Sequence, residues 1–178
     1  MKCKNCKDKF EPKWFNWKFC DKDLCHNLGV KDLVKKEREK KAKQERKETK
    51  KAKEALLTHR DYLKLFQTVF NTYIRERDKD LPCISCGKNN DKQFHAGHYR
   101  SVGSCPELRF EELNVWRQCA TCNTYLHGNL IEYRKELINR IGVEKVEWLE
   151  GYQPSNKMLI PEIKEKIKEY KTKINSLK

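Results

Sequence analysis

Two short cysteine pairs constrain this chain more than anything else in it. Cys83-Ile84-Ser85-Cys86 is followed at once by Gly87, and Cys119-Ala120-Thr121-Cys122 by Asn123. Two C-x-x-C knuckles supply four thiolates, two from each turn, which is what one tetrahedral zinc needs to close the loop between them. Gly87 suits the tight turn that brings the first two sulfurs to one point. A disulfide pair and free thiols are the competing readings. No apolar run follows Met1-Lys2-Cys3-Lys4, so no secretory signal is expected. The nine cysteines are then expected in a reducing cytoplasm, binding metal rather than pairing.

A second four-cysteine set lies near the N-terminus: Cys3, Cys6, Cys20 and Cys25, with His26 as an alternative fourth ligand. A finger this short cannot bury enough apolar surface to fold alone. Metal binding would supply the missing free energy, on the order of 10 kcal/mol in zinc-finger peptides. Phe10, Trp14, Phe15, Trp17 and Phe19 between the cysteines are either the finger's small core or a platform for stacked bases.

Residues 31 to 54 are almost all charged, with twelve Lys/Arg against six Asp/Glu and neither Gly nor Pro. Glu37/Lys41 and Glu39/Lys43, acid first at i,i+4, favour a helix. No apolar stripe runs along it, so it is a solvated spacer or a basic arm that follows a phosphate backbone. The formal net charge of +14 draws the whole chain to polyanions, nucleic acid first. No stretch is long and apolar enough to span a membrane.

Thr58, with Asp61 three residues on, marks a helix N-terminus, and Leu63, Phe66, Phe70, Tyr73, Ile74 and Arg77 follow at helical spacing. That face is expected to pack on the zinc module, and Asp78 to Pro82 to end the helix. Residues 93 to 99 and 113 to 118 read as the strands of a hairpin around a loop at 101 to 106. Cys105 is expected to be a small buried residue or a loop thiol. A helix is expected from Thr121 to Ile141, stopped by Gly142, then a short one from Val143 to Leu149 and a last one from Pro161. Ile163, Ile167, Tyr170, Ile174 and Leu177 on the last helix predict packing on another helix or on a second subunit. The fold class expected is α+β, built of small zinc-stabilised modules: a finger (1–30), a charged helical arm (31–57), a zinc-stapled hairpin domain with its preceding helix (58–142) and C-terminal helices (143–178).

Phosphodiester hydrolysis needs an activated water, charge neutralisation at the phosphate and help for the leaving oxygen. His98, between the knuckles, is the candidate general base, since an imidazole can be neutral near pH 7. Asn114 on the returning strand is expected to hydrogen-bond backbone across the hairpin and fix the loop behind the base. Asn123 and His127, four apart on the expected helix, would project from one face toward a divalent cation such as Mg²⁺ or Mn²⁺. A buried structural role for either His is the plainer alternative.

The run C-x-x-C-G, His98, Asn114, C-x-x-C and His127 resembles an HNH endonuclease, a ββα-metal site stapled by a four-cysteine zinc. The wider text is closer still to one family. Tyr73-Ile74-Arg75-Glu76-Arg77-Asp78, Ala96-Gly97-His98-Tyr99-Arg100, Leu108-Arg109-Phe110 with Leu113-Asn114, and Gly128-Asn129-Leu130 with Tyr133-Arg134 resemble the NinG (Rap) recombination proteins of lambda-like phages. The finger and arm fit that family as well. The resemblance implies a structure-specific endonuclease acting in the host cytoplasm on branched DNA such as Holliday junctions and D-loops, with two structural zincs and a catalytic divalent metal. Two positions depart from the HNH pattern. Gly97 stands where an acid or His usually precedes the base, and Asn123 where a His often follows the knuckle. His95 could join the metal ligands only if Ala96-Gly97 bulges the strand. Arg100, Arg109, Arg117 and Arg134 are the candidate phosphate contacts. Cutting two strands would favour a homodimer. The competing readings are a zinc-containing recombination protein that binds nucleic acid without cutting it, and a structural adaptor.

Overall fold

The computed structural model describes residues 1–177 and divides them into two compact units, Met1–Leu57 and the remainder from Thr58. In the first unit a bridge between Lys2 and Lys9 closes the first knuckle. Helix α1 then runs over Asp23–Ala55, 33 residues. It begins inside the finger, so the boundary read at 30/31 falls within one continuous helix. Only Cys25 and Gly29 on it are buried. A Cβ at Gly29 would stand 2.8 Å from Trp17 Cζ2, so the missing side chain is what lets the finger's rings close on the helix. Beyond that contact α1 is solvated, held by its charged composition and pairs such as Asp32–Lys36 at 2.9 Å. The five aromatics of the finger divide. Trp17 and Phe19 are buried with the cysteines and Phe10 packs beside them, while Trp14 and Phe15 are exposed.

The second unit opens with α2, His59–Arg77. Its N-terminus is a capping box: Thr58 Oγ1 accepts from Asp61 N, and the Asp61 carboxylate accepts from Thr58 N at 3.0 Å. Tyr62, Phe66, Phe70 and Ile74 form its buried stripe. Most of that stripe meets the last helix, α5 (Ile160–Ser176), rather than the knuckles: Tyr170 sits 5.4 Å from both the Phe66 and Phe70 rings, and Ile163 and Ile174 are buried with it. The apolar spacing of α5 is therefore satisfied within the chain. Glu112 locks the pair, accepting hydrogen bonds from Tyr73, Tyr170 and Lys173.

Strands β1 (Phe94–His98) and β2 (Val115–Cys119) form one antiparallel hairpin, and α2 contacts both. The register is unbroken from Phe94 opposite Cys119 to His98 opposite Val115. Neither strand carries an extra residue, so the bulge that would have swung His95 around is absent. A second expectation is also overturned: no single helix spans 121 to 141. Thr121–Tyr125 is a π-helical turn, closed by Leu126 N to Thr121 O at 3.0 Å. His127, Gly128 and Asn129 then take left-handed backbone angles, φ 48°, 92° and 41°, before α3 begins at Leu130 and runs to Ile141. Within this turn Cys122 lies with the other three sulfurs. Leu126 and Leu130, which would share a face with Tyr133 and Leu137 on an uninterrupted helix, are exposed, while Tyr133 and Leu137 are buried. Gly142 ends α3 at φ 87° and α4 (Val143–Glu150) follows. These helices share a core with Ile84, Cys105 and Leu108. No helix among the described residues is long and apolar enough to cross a membrane.

Candidate functional site

The cysteine sets come first because they position everything else. The sulfurs of Cys83, Cys86, Cys119 and Cys122 all lie within 4.8 Å of one another, and so do those of Cys3, Cys6, Cys20 and Cys25. The Sγ–Sγ edges seen for Cys86–Cys119 (3.8 Å) and Cys6–Cys20 (3.5 Å) suit a tetrahedron with metal–sulfur bonds of about 2.3 Å. Backbone N–H groups point at the sulfurs: Cys119 N at Cys83, Cys122 N at Cys119, and Cys20 N at Cys3. Burial pushes the Cys3, Cys83, Cys119 and Cys122 thiols toward their neutral form. At Cys83 and Cys3 the N–H donors outweigh it, and the Cys3 thiol is brought down to about 6. At Cys122 burial wins, with the Cys83 charge adding to it, and the thiol is pushed up to about 11. One ionised sulfur thus discourages its neighbours, and a divalent cation removes that penalty. Both sets could bind structural zinc. His26 is not in the second set; its ring packs 5.5 Å from Trp17.

His98 ends β1. Its Nε2 lies 3.0 Å from the carbonyl oxygen of Arg109, and burial holds the imidazole below its usual range, offset in part by that hydrogen bond. Asn114, fully buried, joins the two ends of the loop between the strands. Its Oδ1 accepts from Arg100 N at 2.8 Å, and its Nδ2 donates to Arg100 O and Leu108 O at 3.0 Å each. Tyr99 N to Asn114 O at 2.8 Å closes the same joint. The backbone on either side of Asn114's bonds is thus the backbone that carries His98 and its carbonyl partner.

His95 is brought to Asn123: Asn123 Nδ2 stands 2.9 Å from His95 Nδ1. Turning that amide would set its oxygen beside the ring nitrogen, a pair of donor atoms that a divalent cation accepts. His127 is exposed on the left-handed turn and makes no hydrogen bond among the described residues. With the π turn in place of a helix, Asn123 and His127 are not i,i+4 neighbours on one face. The regular ladder also sends His95 and His98 to opposite faces of the hairpin. Two groups are therefore assembled, His98 with Asn114 and His95 with Asn123, and the hairpin separates them.

A family model described as Bacteriophage Lambda NinG protein matches residues 1–178, the whole chain. The chain belongs to the NinG family. Among its curated relatives, Protein ninG of Escherichia phage 933W is 40% identical over 188 residues, and Protein ninG of Escherichia phage lambda is 40% identical over 190. Protein ninG of Salmonella phage P22 is 38% identical over 190 residues. Each of these alignments covers 99% of this chain and 93% of the relative. No solved structure matches.

The four arginines singled out in this NinG chain all hold protein groups. Arg100 donates to Leu149 O and Glu150 O, and Arg109 to Gln67 Oε1. Arg117 lies 3.6 Å over the Phe94 ring and donates to Lys79 O and Leu81 O. Arg134 forms a two-pronged pair with the Glu150 carboxylate at 2.7 and 3.0 Å. Each guanidinium thus clamps a protein group, Arg100 and Arg117 on backbone carbonyls, Arg134 on a carboxylate and Arg109 through its Nε alone.

Two residues without a chemical motif turn out to set the hairpin. Asp78, buried at the end of α2, takes both prongs of Arg77 and the Arg117 N–H. Gln118, also buried, donates to Ser85 Oγ and Gly128 O at 2.6 Å each, tying both knuckles to β2. Gln118 accounts for the glycine before His98 in this NinG sequence. A Cβ at Gly97 would run into the Gln118 amide and stand 2.9 Å from its Cβ. The Gly97→Ala protein is accordingly expected to lose about 2–3 kcal/mol, from overpacking and from hydrogen bonds that Gln118 gives up. Urea unfolding midpoints check this; a wild-type midpoint would mean that Gln118 moves aside freely.

Proposed function

We propose that this NinG protein is a metal-dependent DNA endonuclease of phage recombination, hydrolysing phosphodiester bonds in branched DNA such as Holliday junctions or D-loops in the host cytoplasm. The observation that carries the reading is the setting of His98. A carbonyl oxygen only accepts, so the bond to Arg109 places the proton of the neutral ring on Nε2 and leaves a lone pair on Nδ1. Burial keeps the ring neutral at pH 7. In this reading Nδ1 takes a proton from water as the water oxygen attacks phosphorus, the P–O bond to the leaving sugar oxygen breaks and that oxygen takes a proton from solvent, and Asn114 holds the loop so that the ring keeps its aim. His95 and Asn123, with His127 nearby in sequence, would hold Mg²⁺ or Mn²⁺. They lie on the opposite face of the hairpin from His98, so no step at the phosphate that His98 serves is routed through such a cation. The net charge of +14 supports attraction to the polyanion. Cutting both strands of a junction would call for two copies of the chain.

One observation favours a second reading, a zinc-braced protein that binds recombination DNA without cutting it: His98 and the His95–Asn123 pair project from opposite faces of the hairpin. Incubating the full chain with linear duplex, single strands and a four-way junction, with and without Mg²⁺ or Mn²⁺, separates the two. The nuclease reading expects junction cutting that falls about 10²–10⁴-fold in His98→Ala. Equal cutting by both proteins would remove His98 from the mechanism. Binding without cutting under every metal would leave the second reading. The pH profile gives a further test. The folded His98 ring has a lowered pKa, so it stays neutral, and the reaction proceeds, until the pH drops through that value, below about 6.5. Its contribution to stability is likewise complete above about 6.5 and is lost as the pH falls, because the unfolded chain then binds the proton first.

A further inference from the structure

We propose that the tip of the N-terminal finger is a binding site for unpaired nucleobases, built from Phe15 and Trp14. The finger keeps Trp17 and Phe19 for its own core and turns these two rings outward; Phe15 is 96% exposed and Trp14 60%. They are not loose. Trp17 N donates to Trp14 O at 3.1 Å, closing a tight turn in which Asn16 takes φ 68°. The Trp14 ring stands edge-on against the buried Trp17 ring, 5.7 Å away at 88°. A hydrogen-bonded turn anchored on the finger's aromatic core therefore presents the Phe15 ring almost fully to solvent beside a half-covered Trp14. Leaving a phenylalanine in water contributes nothing to folding, and a stacked base would cover it.

Charge says which partner fits. Residues 1 to 22 hold seven lysines against three acidic residues. Two of those three acids are already paired, Asp21 with Lys13 at 2.9 Å and Asp8 with Lys22 at 2.5 Å, so the remaining surface is cationic. Stacking rings set among lysines are how proteins hold single strands without reading sequence: the lysines follow the phosphates and the rings take the bases. Paired bases inside a duplex offer no exposed face, so the site selects single strands and the open bases of a branch point. The site acts independently of phosphodiester cleavage, and it holds whether His98 is a base or not.

The test uses the full chain without Mg²⁺ or Mn²⁺ and fluorescence anisotropy on an oligothymidylate and on a blunt duplex of the same length. Phe15→Ala is expected to weaken single-strand binding about tenfold and duplex binding less than about twofold. The salt dependence should stay unchanged, because no phosphate contact is lost. Phe15→Tyr should restore the affinity. A 2-aminopurine in the oligothymidylate should be quenched by the wild type and not by Phe15→Ala. Phe15 is almost fully exposed, so both variants should keep the wild-type zinc content. Equal losses on duplex and single strand, or no loss on either, would overturn the proposal. So would unchanged single-strand affinity with lost binding to anionic phospholipid vesicles, which would assign the tip to a lipid surface.

Discussion

Replacing Cys119 with serine is expected to release one equivalent of zinc and to unfold the hairpin together with both knuckles. The sulfur stands at the end of β2, within 4.8 Å of the other three, and receives the Cys122 N–H. A closed zinc site contributes on the order of 10 kcal/mol to a small domain, against a total stability of about 5–15 kcal/mol. The part of the unit nearest the metal has little to fall back on. Among the described residues the buried cluster of these cysteines has Phe94 packed against it, and Ile84, between the first two ligands, belongs to the main core. Metal analysis, near-ultraviolet circular dichroism and a chelator titration check this. The N-terminal finger should keep its own zinc in the same variant, since its four cysteines and its small aromatic core lie in a separate unit. A Cys119→Ser protein with both metals and a wild-type melting curve would refute the assignment.

Asn114→Ala should be the next most damaging change, at about 3–5 kcal/mol. The side chain is fully buried and serves Arg100 N, Arg100 O and Leu108 O, and alanine leaves these without partners beside a small void. The near-isosteric Asn114→Asp is the sharper probe. An aspartate can still accept from Arg100 N, but its second oxygen would face two carbonyls. It must be protonated to donate to either, so its folded pKa is raised. The variant should therefore be most stable at low pH and lose stability as the pH rises through that raised value, whereas the wild type has no such group there. If the nuclease reading holds, both variants should lose junction cutting under conditions where they remain folded, because the joint sets the backbone on both sides of the His98–Arg109 bond. A pH-independent stability of Asn114→Asp would show that the loop relaxes around the new carboxylate.

Much of the frame can be read from residue order because its signals are local. Thr58 and Asp61 cap α2 through atoms three residues apart, Gly142 ends α3, and four cysteines in two C-x-x-C pairs can converge in few ways. The site is less legible. The π turn at Thr121–Tyr125 hides behind an apolar spacing, Leu126, Leu130, Tyr133 and Leu137, that suits an uninterrupted helix. Neither propensity nor spacing announces that winding. In that turn Asn123 meets His95 across the hairpin instead of His127 along a helix. The partners of the arginines are not legible in the sequence either. Composition counts their charge but is silent on whether Glu150, Gln67 or a row of carbonyls already claims it.

What residue order alone determined is the set of elements and the chemistry on offer: two tetrathiolate sites, a hairpin carrying two imidazoles, and helices with apolar stripes. These follow from covalent spacing and from the periods of strand and helix, which no distant residue alters. Tertiary packing decided who touches whom. Gln118 claimed the space in front of Gly97, α5 covered the stripe of α2, and an unbroken ladder set His95 and His98 on opposite faces. Those outcomes depend on volume and hydrogen-bond competition between residues far apart in the chain, which enter only once the chain has closed on itself.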